Sequence, residues 1–197
     1  SVPTLALKRT GNNAGNGYVM AAMASQLGMR VQIFAVVDPQ VLTADALRAY
    51  EQCVALGLAI EDPNAPIAYS IVVDALLGTG FSQPLRQEMA QTIGRINAHQ
   101  GDVLSLDLPS GVSADKGLAG EALNESINAT LTVSFITHKI GLHTGAAIAA
   151  RGDLLVTDLG VPGIFFIAIR QCLGSNGPLQ DSLRLVQTPI SRGKVMC

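Results

Sequence analysis

The residues of this chain that could do chemistry lie in three short polar segments, each of which follows an apolar run. The first is Gly11–Gly17 (GNNAGNG), the second is Asp74–Pro84 (DALLGTGFSQP) and the third is Asp107–Gly111 (DLPSG). Ligands of open parallel α/β sheets bind outside the carboxyl ends of the strands. We therefore expect these segments, which carry glycine, amide and carboxylate groups, to converge on one small-molecule pocket.

The first segment is typical of a phosphate-binding turn. Glycine lets the backbone approach a pyrophosphate closely, and the start of a following helix offers free N–H groups and a positive dipole end. The adjacent amides of Asn12 and Asn13 suggest oxygen ligands for a cation or polar contacts to a ligand. The dinucleotide pattern G-x-G-x-x-G is not matched, and the alternative is an ordinary turn between a strand and a helix.

The second segment places Asp74 near the end of an apolar strand. A carboxylate there is costly unless it is paired with a donor or a cation. Gly78-Thr79-Gly80 then predicts a flexible turn with free N–H donors before a helix. The alternative is an aspartate that only caps a turn through local backbone bonds.

The third segment gives the sharpest chemical prediction. Pro109 fixes the backbone and Gly111 frees it, which presents Asp107 and Ser110 in a set geometry. A carboxylate held at a strand end suits general acid/base catalysis, so Asp107 is the candidate catalytic residue. Ser110 does not lie in a G-x-S-x-G elbow, and no histidine offers an evident relay to it.

A second prediction concerns a cation. Asn13, Asp74 and Ser110 together offer hard oxygen ligands, which suit an alkali or alkaline-earth ion better than zinc. Lys139, at another predicted strand end, could neutralise a ligand phosphate, and a solvated surface lysine is the alternative. We assign no role to His99 or His143.

Composition narrows the class of protein. A chain of 197 residues is long enough for one domain with a substantial core. Its 48% hydrophobic and 14% charged residues suit a parallel sheet covered on both faces. A net charge of -2 and the absence of tryptophan argue against nucleic acid as a partner.

The three cysteines, Cys53, Cys172 and Cys197, are scattered and lack CxxC spacing. They predict neither a disulfide framework nor a zinc site, which favours a reducing, cytoplasmic compartment. No secretory signal and no apolar run long enough to span a bilayer are visible, so we expect no membrane partner.

Strands and helices alternate along the predicted chain, which indicates an α/β fold with right-handed crossovers. The expected strands are Pro3–Lys8, Val31–Val37, Ala68–Val73, Val103–Leu106, Ala129–Phe135 and Leu154–Thr157. The expected helices are Asn16–Leu27, a helix capped by Thr43 that runs to Leu56, Leu85–His99 and Thr144–Ala150, with a loop at Asp62–Pro66. The tail Gly174–Cys197 is expected to be irregular or a linker.

Taken together, these segments resemble the motifs of the NAD(P)H-hydrate epimerase family, the YjeF N-terminal domain. The family's GNNGGDG-like, D-A-(L/I)-(L/F)-G-x-G-F and D-(I/L)-P-S-G motifs match the three segments in order. A later T-x-T-F-x-x-x-K-x-G-L-like stretch stands here as Leu131–Phe135 followed by Lys139–Leu142. The resemblance runs from about Gly11 to Pro162, and four motifs in the right order make it specific.

The resemblance implies an isomerase that interconverts the R and S forms of hydrated NADH and NADPH. These damaged nucleotides have taken up water at C6 of the nicotinamide ring, and a partner dehydratase domain or protein accepts only the S form. It also implies a Rossmann-like three-layer α/β/α sandwich with a mostly parallel sheet, a bound potassium ion and a homodimer. We expect this domain to span residues 1–162, with a C-terminal extension or linker at 163–197.

The functional positions of the family can be assigned one by one to residues of this sequence through the matching motifs. The resemblance implies that Asn13, Asp74 and Ser110 hold potassium, and that Asp107 is the acid/base. Substrate contacts would come from Asn12, Asn13, Ala14, Gly15 and Asn16, from Gly78, Thr79, Gly80, Phe81, Ser82, Gln83 and Pro84, and from Asp107.

Two positions depart from the family pattern. Asn16 replaces an acidic residue and cannot act as a base, and Ala14 replaces a glycine and would clash if that position needed a positive φ. The chain also starts directly at its first predicted strand, where family members usually carry two preceding helices. We therefore expect an N-terminal segment, with any targeting signal in it, to be missing.

Two other functions are compatible with parts of this pattern. A weakly active or inactive nucleotide-binding or scaffold relative would account for Asn16. A different α/β nucleotide enzyme, such as a kinase or a methyltransferase, is disfavoured because the first segment lacks both a Walker lysine and G-x-G-x-x-G.

Overall fold

Within the described residues, seven parallel strands form one sheet, which lies at the centre of this part of the chain. The structure, a computed structural model, describes residues 3–7, 12–35, 41–62, 64–67, 71–81, 84–118 and 125–157, with residues 3–7 and 12 described by their backbone alone. The strands are β1 (Pro3–Leu7), β2 (Gln32–Ala35), β3 (Ala59–Glu61), β4 (Ile71–Ala75), β5 (Asp102–Leu106), β6 (Leu131–Phe135) and β7 (Asp153–Thr157). The helices are α1 (Asn12–Gln26), α2 (Ala44–Ala55), α3 (Gln87–Asn97) and the single turn α4 (Ala147–Ala150), with a 3₁₀ turn at Ile140–His143.

The strands lie in the order β3-β2-β1-β4-β5-β6-β7. The chain adds β2 and β3 on one side of β1 and then adds β4 to β7 on its other side, so a topological switch point lies between β1 and β4. Such a switch point opens a crevice at the carboxyl ends of the central strands, because successive connections leave on opposite sides. The segments after β4, β5 and β6 therefore all reach the same edge of the sheet.

Two hydrophobic cores flank the sheet and make it the middle of three layers. Side chains of β4 alternate between them: Ile71 and Val73 pack with α1 and α2, whereas Val72 packs with α3. All five residues of β4 are buried, which is typical of a central parallel strand. This arrangement confirms the expected α/β/α sandwich with a parallel sheet.

Helix α3 shows how the pattern of apolar residues builds one layer. Met89, Ile93 and Ile96 recur at helical spacing and are buried against the sheet, whereas the residues between them are exposed or half-buried. Burying a side chain of this size contributes about 1.5–3 kcal/mol, so this stripe is the main contact that holds the helix against the sheet.

The first helix begins earlier than the sequence predicts. Expected from Asn16, it starts at Asn12, so much of the expected phosphate-binding turn is helical. The side chain of Asn13 explains the early start, because its amide donates to the carbonyls of Leu77 (2.8 Å) and Leu106 (3.1 Å). Ala14 is buried within this helix and is not among the residues with positive φ, so the expected clash does not arise.

Other boundaries differ by a few residues. Strand β3 is not predicted, because three half-exposed edge residues carry little pattern. The expected helix Thr144–Ala150 is shorter because Gly145, with a φ of 52°, separates α4 from the 3₁₀ turn. Thr43 lies at the N-cap of α2 as expected, but its side chain makes no capping hydrogen bond.

Several expectations fall outside the described residues, among them Val36 and Val37, the start of the strand expected at Ala68, and the whole segment 163–197. Of the cysteines only Cys53 is described; it is buried, and its thiol donates to the Tyr18 carbonyl over 3.1 Å. Burial raises the pKa of that thiol to about 11. No helix in the described part of the chain is long and apolar enough to cross a membrane.

Candidate functional site

A cavity of about 540 Å³ opens at the carboxyl edge of the sheet. Its walls come from the first turns of α1 and α2, from the segment after β4, and from the ends of β5 and β6. The lining residues are Gly15, Asn16, Val19, Thr43, Asp45, Ala46, Thr79, Asp107, Phe135, Ile136, Thr137 and Lys139. Members of all three polar segments therefore meet in one pocket, as the sequence predicts.

An ion pair between Asp107 and Lys139 lies in the wall of this cavity. The Lys139 ammonium donates to Asp107 Oδ1, to Ser134 Oγ (2.9 Å) and to the Phe135 carbonyl (2.8 Å). Both side chains are mostly buried, at 11% and 14% exposure, so water screens the pair only weakly. The pair places a proton donor and a proton acceptor side by side at the cavity surface.

The backbone at Asp107 is strained into position. Its φ of 70° lies in the left-handed region, which non-glycine residues rarely adopt. The conformation is held by its own N–H, which donates to the Val133 carbonyl (2.7 Å), and by the Phe135 N–H, which donates to its carboxylate (3.3 Å). Strain of this kind is concentrated at functional sites because the surrounding structure must enforce it.

Gly111 and Gly141 allow the close backbone packing around this pair. A Cβ at Gly111, where φ is 100°, would overlap the Glu125 carbonyl, and one at Gly141 would overlap the Ser113 carbonyl. The third segment and the turn after Lys139 can therefore pack closely only with glycine at these two positions.

Behind the cavity, the buried carboxylate of Asp74 accepts four hydrogen bonds. Ser110 donates to it through both its hydroxyl (2.6 Å) and its N–H (2.8 Å), and Ser105 (2.8 Å) and the N–H of Leu76 (3.1 Å) add the others. Burial raises the pKa of Asp74 above its usual value, and these hydrogen bonds oppose that rise. The network ties the second and third segments together.

The peptide of Leu77 links Asn13 to this network. Its N–H donates to Ser110 Oγ (2.8 Å), and its carbonyl accepts from Asn13 Nδ2 (2.8 Å). Asn13 is 8% exposed, and its Oδ1 has no hydrogen-bond partner among the described residues. A buried acceptor without a donor is costly, which marks this oxygen as a position for a cation or another ligand.

The structure places the predicted site residues in two groups. Gly15, Asn16, Thr79 and Asp107 line the cavity, whereas Asn13, Asp74 and Ser110 lie behind it. Ala14, Gly78, Gly80, Phe81 and Pro84 are described but are not among the lining residues. Gly11, Ser82 and Gln83 lie outside the described residues, as does the side chain of Asn12.

Several lining residues were not predicted. Thr43, Asp45 and Ala46 come from the start of α2, and Val19 and Ile136 are apolar. The pairing of Lys139 with Asp107 is not predicted either, although β5 and β6 are adjacent in the sheet and their carboxyl ends lie side by side. The sequence feature that could have predicted this pair is that Asp107 and Lys139 each follow an apolar strand.

His138 and His143 form a second, exposed pair beside the cavity. Their Nδ1 and Nε2 atoms lie 3.1 Å apart, and one ring donates to the other. Within the described residues, no three histidine, cysteine, aspartate or glutamate side chains lie close enough together to hold a metal ion.

Comparison of the sequence with known protein families matches the model for the YjeF-related protein N-terminus over residues 5–141. The chain is 36% identical over 171 residues to the NAD(P)H-hydrate epimerase of Bordetella pertussis, covering 85% of this chain and 75% of that protein. It is 31% identical over 164 residues to the NAD(P)H-hydrate epimerase of Weissella koreensis, covering 80% and 70% of the two chains.

Longer relatives share the same region. The bifunctional NAD(P)H-hydrate repair enzyme Nnr of Coxiella burnetii is 37% identical over 161 residues, which are 81% of this chain and 32% of that enzyme. The chain thus spans about a third of the length of such bifunctional relatives. Among solved structures, that of yeast ynu0, YNL200c, has a TM-score of 0.60 at 20% identity over 83% of this chain and 68% of that one, which supports the fold.

Proposed function

Because the chain belongs to the family of YjeF-related N-terminal domains, we propose that it is an NAD(P)H-hydrate epimerase that interconverts the R and S forms of hydrated NADH and NADPH. The single observation that carries this proposal is the Asp107–Lys139 pair in the wall of a cavity lined by the family's first and second motifs. Two relatives that bear the epimerase name are covered over more than two thirds of their length.

The proposed chemistry is proton transfer at the hydrated ring. The C6 hydroxyl can invert through loss and re-addition of water or through opening and closure of the ring. Either route needs a proton moved to or from the hydroxyl or the ring nitrogen. Asp107 accepts or returns that proton, and the ammonium of Lys139 stabilises negative charge that develops beside it.

The geometry also favours a nucleotide as the substrate. The start of α1, which carries no acidic residue in its first turn, borders the cavity through Gly15 and Asn16, and helix N-termini attract phosphate through free N–H groups and the helix dipole. Thr79 adds a polar side chain from the segment after β4. We propose that the pyrophosphate lies toward these elements while the hydrated ring lies toward Asp107.

We propose that a potassium ion is held by Asn13, Asp74 and Ser110, and the unpartnered Oδ1 of Asn13 supports this site. Asn13 Oδ1 is buried without a partner, the Asp74 carboxylate is fully buried, and the Leu77 peptide joins the two through Ser110. Bound there, potassium would supply positive charge that favours the ionised carboxylate and holds the second and third segments together.

Replacing Asn13 by alanine is expected to abolish the response to potassium. In the intact chain, potassium should raise Tm and the epimerisation rate relative to equal sodium, and Asn13→Ala should show neither effect. The variant should also lose about 1–3 kcal/mol of stability, because two buried carbonyls lose their donor. Thermal unfolding and rate assays in the two salts measure both.

Asn97→Ala is the matched control. Its amide also joins distant backbone groups, at Ser126 and Asn128, but it lies on α3. It should lose stability and keep its potassium response. A potassium response retained by Asn13→Ala would contradict the proposed ion site.

Asn16→Asp tests whether the departure from the family pattern weakens the enzyme. Asn16 is exposed at the cavity wall, and a charge there changes the energy of nearby groups by about 1 kcal/mol or less. We therefore expect kcat/KM to change less than about fivefold. A gain of well over tenfold would instead support the alternative function, a weakened or inactive nucleotide-binding relative.

Two partners follow from this proposal. The S form is the product that a dehydratase domain or protein would consume, and relatives that carry the bifunctional name are about two and a half times as long as this chain. A homodimer is proposed from the family resemblance, and light scattering of the purified protein tests it. Neither nucleic acid nor a membrane is proposed as a partner.

A coupled assay tests the proposed function. An S-specific dehydratase acting on an equilibrated mixture of R and S NADPH hydrate first restores NADPH from the S form and then slows to the spontaneous rate of interconversion. Adding this protein should make the recovery of NADPH absorbance complete in a single fast phase. An unchanged slow phase with folded protein would contradict epimerase activity.

A further inference from the structure

Ile136 adopts a backbone conformation that its side chain disfavours. Its φ is 70°, and β-branched residues rarely occupy the left-handed region because Cβ is crowded there. Among the described residues, Asp107 is the other non-glycine residue with a positive φ. Both residues line the same cavity, so backbone strain is concentrated at the proposed active site.

The turn that contains Ile136 explains why the backbone has a positive φ there, but it does not explain why the residue at this position is an isoleucine. The N–H of Ile136 donates to the Thr157 carbonyl (2.6 Å), and the N–H of Thr137 donates to the Phe135 carbonyl (2.8 Å). These bonds reverse the chain after β6 and bring Lys139 back to Asp107. Glycine or asparagine would make this turn with less strain.

The side chain also gains little from burial in the protein. Ile136 is 69% exposed, although it is one of the large apolar residues of the described chain. Val19, which lines the same cavity from α1, is 46% exposed. Single exposed apolar residues are common, so exposure alone does not mark a site. The strained backbone of Ile136 and its place in the cavity wall together point to a contact with a ligand.

We propose that Ile136 and Val19 form an apolar wall that packs against the hydrated nicotinamide ring and positions it beside Asp107 and Lys139. This inference rests on the proposed function. Hydration leaves the ring partly saturated and puckered, so it lacks the flat π-face that favours aromatic stacking. Aliphatic side chains suit such a ring, because dispersion contacts require close approach and no particular orientation.

Three variants distinguish the effect of the Ile136 side chain on ligand binding from the effects of backbone strain and of a neighbouring apolar residue. Ile136→Ala removes most of the side chain and keeps the strain, whereas Ile136→Gly removes both. Ile140→Ala is the matched control, because Ile140 is 73% exposed and is not among the lining residues. Calorimetric titration with R/S NADPH hydrate measures binding, and thermal unfolding measures stability.

If Ile136 and Val19 contact the ring, the affinity for NADPH hydrate should fall when Ile136 is changed, whatever happens to the rate of turnover. Both Ile136 variants are expected to bind NADPH hydrate about tenfold more weakly than the unaltered chain, and Ile140→Ala should bind as tightly. Relief of strain should raise the Tm of Ile136→Gly by about 2–4 °C above that of Ile136→Ala.

The outcomes distinguish this inference from the proposed function. Binding by Ile136→Ala within about twofold of the unaltered chain would overturn the wall, whether or not the protein epimerises its ligand. A protein that binds NADPH hydrate without epimerising it, and loses that binding in Ile136→Ala, would overturn the function and keep the wall. Absence of binding by the unaltered chain would overturn both.

Discussion

Asp107→Asn is expected to lower the rate of R/S interconversion about 100-fold or more, with the protein folded as before. An amide fits the same space but cannot accept the proton that inversion at C6 requires, and general acid/base groups typically contribute about 10²–10⁴-fold. The loss should appear mainly in kcat, because the other residues that line the cavity are unchanged and the amide keeps the size of the side chain. Chromatographic separation of the two forms over time gives both kinetic parameters.

The control for this variant lies at the other end of the same strand. Asp102 begins β5, on the edge of the sheet away from the cavity, and Asp102→Asn should keep full activity. Lys139→Met should be nearly as slow as Asp107→Asn, and the double variant no slower than either, since the two side chains act as one pair. Full activity in Asp107→Asn would remove this residue from the chemistry.

Asp74→Ala is expected to cause the largest loss of stability, about 4 kcal/mol or more. The carboxylate is fully buried and accepts four hydrogen bonds, so its removal leaves four donors in the interior without an acceptor. Asp74→Asn should be almost as damaging, because its amide N–H groups would face donors. Denaturant unfolding measures the loss.

Ser105→Ala provides the comparison for Asp74. It removes a single donor to the same carboxylate and should cost about 1 kcal/mol. The ratio between the two variants tests whether the network behaves as a unit. Equal, small losses in both would show that Asp74 is not the centre that joins the second and third segments.

The layered fold and the gathering of the polar segments could be predicted because they follow from local patterns. Apolar runs alternate with helical stripes such as Met89, Ile93 and Ile96, and parallel strands must bring their carboxyl ends to one edge. Asp107 stands directly after one of these runs, so its place at the cavity follows from the order of elements alone.

Contacts between distant segments could not be read in the same way. The early start of α1 depends on Asn13 reaching two carbonyls more than 60 residues away. The Asp107–Lys139 pair depends on the register that sets Leu106 opposite Val133 and on the turn at Ile136. Such contacts are fixed by packing of the whole sheet, whereas local propensity alone favours other arrangements.

Contacts between distant segments also explain why the predicted site residues fall into two groups, one that lines the cavity and one that is buried behind it. Asn13, Asp74 and Ser110 resemble ligand-binding residues in the sequence, and the structure buries them behind the cavity where they hold its walls. Thr43 and Asp45 reach the cavity only because α2 packs across α1. Neither result is encoded in the spacing of the motifs.

The most direct test of epimerase activity starts from the isolated R form of NADPH hydrate in potassium buffer. Chromatography follows the appearance of the S form with the unaltered chain, with Asp107→Asn and with no protein. We expect rapid approach to the R/S equilibrium with the unaltered chain, and rates close to spontaneous in the other two. Folded, unaltered protein that produces the S form no faster than buffer alone would contradict this expectation.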